Sequence, residues 1–185
     1  MYHCVAGKRD HHELFFMPVF KVVTRYSGEY QGKIPEHKYH DDQAISKVVN
    51  YVLDPNKTEP KLTGGYGVNP FMAAEQFEIV ARNYGKDFGI RLRHMVMSFS
   101  AQEKVDAHQA RGIAYRIAAY YGAEYQIFFA VHTDAAHINI HFVMNSVSYR
   151  TGQKYGGEKA DYYRFLDHMR KILRDYGLQL WEQRD

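Results

Sequence analysis

The run His132-Thr-Asp-Ala-Ala-His-Ile-Asn-Ile-His-Phe-Val-Met-Asn145 gathers three histidines, an aspartate and two asparagines within fourteen residues. Read as a strand, Ile138, Ile140, Phe142 and Met144 fall on one face, and His137, Asn139, His141, Val143 and Asn145 on the other. One face suits a core and the other suits chemistry. The preceding Tyr125 to Val131 is rich in aromatic and β-branched residues and reads as a second strand, with Thr133 to Ala136 as a hairpin tip. A four-residue tip pairs His132 with His137 and puts His132, His137, Asn139 and His141 on one side of the ribbon. Imidazole and amide donors so grouped suit a divalent metal: magnesium or manganese first, with zinc or nickel compatible. Asp134 is placed to orient a histidine from behind. The one cysteine, Cys4, excludes a metal site built on several thiolates of this chain.

The elements that must hold these residues follow from periodicity. A strand is expected over 16–25, then a polar loop over 27–40. Asp41 and Asp42 look like helix caps, and Ala44, Ile45, Val48, Val49 and Val52 recur at helical spacing until Asp54-Pro55 stops the run. Tyr51 lies about a third of a turn from the centre of that apolar stripe, at the rim of the core. Residues 57–69 read as an irregular glycine-containing loop and 71–84 as a helix. A strand over 91–99 carries Leu92, His94, Val96 and Ser98 on one side; a helix follows over 103–121. After the histidine hairpin, a loop over 148–159 precedes a last helix over 161–176, ended by Gly177. The expected fold is α+β: a two-layer sandwich with a mainly antiparallel sheet, helices packed on one face and the histidines on the open face.

The 185 residues fit one domain, expected over 16–185, with 1–15 an extension or a cloning remnant. No apolar run reaches the length of a membrane span and no signal peptide is evident, so a cytoplasmic location without membrane insertion is expected. The net charge of +3 permits a nucleic-acid partner without requiring one. Basic and aromatic residues gather at Arg150, Lys154 and Tyr155, and Lys57 follows the first helix. These four are the candidate DNA contacts, a basic groove with aromatic stacking being what single-stranded DNA requires.

A histidine-held cation that polarises a phosphoryl oxygen still needs a nucleophile. Water would make a hydrolase; a tyrosine would make a transferase that stays covalently attached to its product. Sixteen tyrosines leave composition unable to choose, but the position of Tyr51 beside a helix end and before Lys57 favours it. Tyr26, Tyr30 and Tyr39 in the preceding loop are the alternatives.

The hairpin pattern H-x-D-x-x-H-x-N-x-H-x-x-x-N resembles the third motif of conjugative relaxases, the mobilisation nucleases of plasmids and integrative elements. In the branch it most resembles, that motif runs close to H-x-D-x-x-H-I-H-N-H-x-x-x-N. Ala44 to Thr58, with Tyr51, Pro55 and Lys57, is similar to the family's first motif, and His94-Met-Val-Met-Ser98-Phe to its central H-x-x-x-S-F segment. The helix end with Tyr176-Gly-Leu178 is similar to the close of the domain. The resemblance implies that Tyr51 attacks one phosphodiester at an origin of transfer, leaving a 5′-phosphotyrosine and a free 3′-hydroxyl. It implies a metal held by His132, the residue at 139 and His141, with Asp134 supporting a histidine or helping to deprotonate the tyrosine, and His137 nearby. Its partners would be single-stranded or hairpin DNA, accessory relaxosome proteins and a coupling protein. The departure is Asn139, where relatives carry histidine: either its amide oxygen ligates a hard cation, or His137 takes its place. The competing readings are a metal-dependent hydrolase using water at the same histidines and a DNA-binding module without catalysis.

Overall fold

The computed structural model describes residues 17–23, 39 and 43–182. Residues 1–15, the caps expected at Asp41 and Asp42, and the alternatives Tyr26 and Tyr30 lie outside them. The chain runs β1 (Val19–Val23), α1 (Ala44–Val52), β2 (Thr63–Tyr66), α2 (Ala73–Asn83), β3 (Leu92–Phe99), α3 (Ala107–Gly122), β4 (Tyr125–His132), β5 (Ile138–Ser148), α4 (Lys159–Asp175) and β6 (Trp181–Glu182). The strands form one sheet in the order β2-β4-β5-β3-β1-β6. The first five pair antiparallel and β6 joins β1 in parallel. The α+β class and the mainly antiparallel sheet are as the sequence predicts.

Strand alternation divides the sheet into two faces, and both are covered. Met95, Met97 and Phe99 of β3, Ile127, Phe129 and Val131 of β4, and Ile140, Phe142 and Met144 of β5 face Ile113, Ile117, Phe165, Met169 and Leu173 of α3 and α4. On the other face, Phe128, Ala130, Val143 and Leu92 pack against Ala44, Ile45, Val48, Val49 and Val52 of α1 and Phe77 of α2. The sequence-based expectation of helices on a single face is therefore revised. Alternate positions of β4 and β5 are apolar on both sides, and two amphipathic helix pairs are available to bury them. The histidine face is a covered one, and α1 is the element that covers it.

Local chemistry explains where the elements start and stop. The first helical turn of α3 is held by a capping box in which Asp106 accepts from the Gln109 amide at 2.8 Å and Gln109 returns a bond to the Asp106 amide at 3.1 Å. α4 ends in paired bonds, Leu178 N–H to Leu173 O and Gly177 N–H to Arg174 O, both 3.0 Å, with Gly177 in the left-handed region at φ 71°. β2 occupies a stretch expected to be loop. Glycines weaken a strand, but Gly64 and Gly65 are here because helix and sheet leave no room for a side chain. A Cβ on Gly64 would meet Tyr115 Cζ at 2.5 Å and Phe129 Cζ at 2.7 Å.

Gly64→Ala should therefore destabilise the fold by about 1–3 kcal/mol through overpacking. A urea midpoint unchanged from the wild type would show that the close approach is not what selects glycine there.

Candidate active site

Three imidazoles meet under one phenol. β3, β4 and β5 lie side by side with His132 opposite Asn139, Ala130 opposite His141 and His94 opposite Val143. This register places His132, His141 and His94 as a diagonal row on one face, each buried. The ring centroids of His132 and His141 are 4.1 Å apart, and those of His94 and His141 5.1 Å. Tyr51, in the last turn of α1, stands edge-on to all three, with centroid distances of 5.8 Å to His132, 5.6 Å to His141 and 6.3 Å to His94. It remains 47% exposed, whereas the three histidines are buried. The Lys57 ammonium lies 3.9 Å from the Tyr51 ring centroid and 3.9 Å from the Asp54 carboxylate.

Hydrogen bonds fix this arrangement. His132 Nε2 lies 2.8 Å from the carbonyl oxygen of Val52. A carbonyl only accepts, so Nε2 carries the proton, and a neutral His132 keeps its lone pair on Nδ1. The Val52 carbonyl belongs to the last turn of α1, where helical carbonyls lack partners, and the imidazole supplies one. The Thr133 N–H donates to the Lys57 carbonyl at 2.9 Å, clasping the hairpin tip to the turn after α1. His94 Nε2 lies 2.9 Å from His141 Nδ1, and the Tyr39 hydroxyl 3.1 Å from His94 Nδ1. Burial, then the neighbouring His132 and His94 and the Lys57 charge, push the His141 pKa down to about 2. Burial also lowers that of His132. Both are neutral imidazoles near neutral pH, the form that donates a lone pair.

The predicted site residues divide. Tyr51, Lys57, His132, His141 and Asn139 come together; the others do not join them. The tip is longer than four residues: His132 pairs with Asn139, and His137 sits exposed in the bend. Moving the partner by two residues preserves the face, so the one-sided grouping of His132, Asn139 and His141 survives. Asn139 Oδ1 accepts from Ser98 Oγ at 2.6 Å. Asp134 is exposed on the tip and makes no side-chain hydrogen bond among the described residues; it acts on His132 by charge, and Val52 fixes the tautomer instead. Arg150, Lys154 and Tyr155 lie at the far end of β5, where the seven steps from His141 to Ser148 rise roughly 23 Å. There Lys154 donates to the Phe88 carbonyl, while Tyr155 bonds Asp161 at 2.6 Å on the α3/α4 side. Tyr39 is 1% exposed, which removes it as a nucleophile toward a polymer. His94 and the Val52 carbonyl have no assigned role in the sequence reading. Strand parity put His94 on the same side as Ser98, but only the β3–β5 register brings it to His141.

The family model described as "Relaxase: MobA/VirD2-like, nuclease domain" matches residues 51–178, from Tyr51 through all three histidines to just past the end of α4. The chain belongs to this family. Two proteins from Staphylococcus aureus named Protein rlx resemble this relaxase domain at 27% identity over 146 and 147 residues. The alignments cover 79% and 80% of this chain but 45% and 42% of theirs. Protein TraI of Escherichia coli is 32% identical over 111 residues, 58% of this chain and 15% of its own. The relaxase domain thus spans less than half the length of the curated relatives it matches. No helix among the described residues is long and apolar enough to cross a membrane.

The buried histidines make stability pH-dependent. With a folded pKa for His141 of about 2 against an ordinary 6.5, the unfolded chain takes up a proton between these values that the folded chain refuses. Stability is fully present above the ordinary value and falls as pH drops below it. With chelator present, the urea midpoint should decrease from about pH 7.5 to about pH 5, and His141→Gln should shrink that decrease. An equal decrease in both proteins would assign the effect to other groups.

Proposed function

We propose that this domain nicks one strand of DNA at an origin of transfer by a transesterification in which Tyr51 is the nucleophile. The supporting observation is the Tyr51 ring, edge-on to His132, His141 and His94 within 6.3 Å yet half open to solvent. A phenol at the rim of a cluster of neutral imidazoles can meet a polymeric phosphodiester without unfolding the site. Its oxygen forms a bond to phosphorus as the bond to the 3′-oxygen breaks, leaving a 5′-phosphotyrosine and a 3′-hydroxyl. The phenol proton ends on the departing 3′-oxygen, with the Asp134 carboxylate on the neighbouring tip as its proposed carrier. Lys57 stands where an incoming phosphate meets a cation first. One phosphodiester is exchanged for another, so the same groups can rejoin the strand.

The donor set fits a divalent cation. His132 through Nδ1, His141 through Nε2 and Asn139 through Oδ1 are the groups that would hold it. The two ring nitrogens make no hydrogen bond among the described residues, and Asn139 Oδ1 retains a second lone pair beyond Ser98. No set of three His, Cys, Asp or Glu side chains among the described residues is arranged to hold a metal ion, so this set depends on the Asn139 amide oxygen. His137, exposed on the tip, is the remaining candidate donor. Neutral nitrogen and amide-oxygen ligands suit magnesium or manganese, with zinc or nickel compatible. A bound cation would polarise the phosphoryl oxygen and offset the charge that builds there. The DNA partner is proposed to be single-stranded at the nick, and accessory and coupling proteins are proposed on the same basis.

Incubation with single-stranded oligonucleotides spanning a transfer origin, with and without manganese, should give a protein-DNA adduct that survives denaturing electrophoresis. Tyr51→Phe should abolish it. An adduct in the variant would move the nucleophile elsewhere, and turnover of a small phosphoester with no adduct would point to a hydrolase. Salt-sensitive binding that needs neither metal nor Tyr51 would indicate a module without catalysis.

A further inference from the structure

Beneath the site lies a polar chain that the proposed reaction does not use. Tyr39 and His94 are buried, at 1% and 6% exposure, in an otherwise apolar layer formed by α1, Leu92, Phe128 and Val143. Buried polar groups are costly unless satisfied, so a chain of them one layer behind the exposed tyrosine requires a physical account. The Tyr39 backbone is anchored as well, its carbonyl accepting from the Arg91 N–H at 2.9 Å just before β3.

We propose that His94 is a positioning residue that holds His141 with its proton on Nδ1, so that the Nε2 lone pair faces the site, and that Tyr39 holds His94 in turn. The contacts admit two arrangements of the protons. A 2.9 Å contact between two ring nitrogens requires one proton between them. If His141 Nδ1 donates, neutral His94 receives at Nε2 and carries its own proton on Nδ1, where the Tyr39 oxygen 3.1 Å away accepts. The reverse arrangement would put the His141 proton on Nε2 and remove its outward lone pair. Neutrality of His141 is consistent with its burial among other imidazoles. The two ligand histidines are then set by different devices: His132 by the Val52 carbonyl at the end of α1, and His141 by a ring on β3. Of the two arrangements this one keeps the lone pair outward, so the proposal rests on the ligand reading given above.

Long-range proton-nitrogen NMR of the imidazoles in metal-free protein, with calorimetric titration of Mn2+, tests the proposal. Wild-type His141 should be the Nδ1–H tautomer. His94→Gln, whose amide oxygen can accept from Nδ1–H, should preserve it. His94→Leu, close in volume but without an acceptor, should lose it and bind Mn2+ about 10–100-fold more weakly than the Gln variant. A wild-type His141 protonated on Nε2 overturns the proposal without reference to any variant. Equal loss of Mn2+ binding in folded Gln and Leu variants also overturns it, showing His94 to be a direct ligand. The Tyr51 adduct assay is read separately, so a failed relaxase reading would leave the tautomer result standing.

Discussion

The bond from His132 Nε2–H to the Val52 carbonyl is the contact on which the site depends. It joins residues eighty positions apart, connecting the last turn of the helix that bears Tyr51 to the strand that bears His132. A hydrogen bond of this kind contributes about 1 kcal/mol net, but leaving both groups buried and unpaired costs more. It also works in two directions. The imidazole completes a helix end, and the helix end decides which imidazole nitrogen stays bare. Nucleophile and donor cannot be repositioned independently while this bond persists.

Burial supplies the second constraint. α1 covers the histidine side of the sheet with Ile45, Val48, Val49 and Val52, so the rings beneath it are removed from water. Desolvation disfavours their charged forms and leaves bases and ligands in place of cations. The same cover leaves room at its edge for one exposed aromatic ring. The phenol, which needs an incoming polymer, stays accessible, and the imidazoles, which need a dry environment, do not. On the opposite face α3 and α4 bury a continuous apolar surface, so the strands that carry the histidines rest on a packed layer.

Much of this was legible in the sequence because it depends on period. The alternation in 138–145 assigns faces to Asn139 and His141 whatever the turn length, and the stripe of α1 puts Tyr51 at its rim. Cross-strand register was not legible. Whether a tip has four residues or six depends on how Asp134 to His137 bend, and that choice sends His137 into solvent and Asn139 opposite His132. His94 depends on the pairing of β3 with β5 across forty-seven positions, which no local pattern encodes. The strand at Thr63–Tyr66 was hidden because its glycines answer a tertiary crowding invisible in the chain. The basic and aromatic loop after β5 is likewise placed by tertiary contacts, Lys154 donating to the Phe88 carbonyl and Tyr155 bonding Asp161.

Lys57 rests on the uncharged face of Tyr51, with the nearest carboxylate 3.9 Å away on partly exposed Asp54. Neither partner grips it: a cation over a partly exposed ring and a solvent-screened ion pair at 3.9 Å are both weak holds. The positive charge is stored beside the phenol rather than spent there, and its release to an arriving anion requires no backbone to move. The same departure would uncover the ring. Charge neutralisation and exposure of the phenol face are thereby tied to a single side-chain rotation.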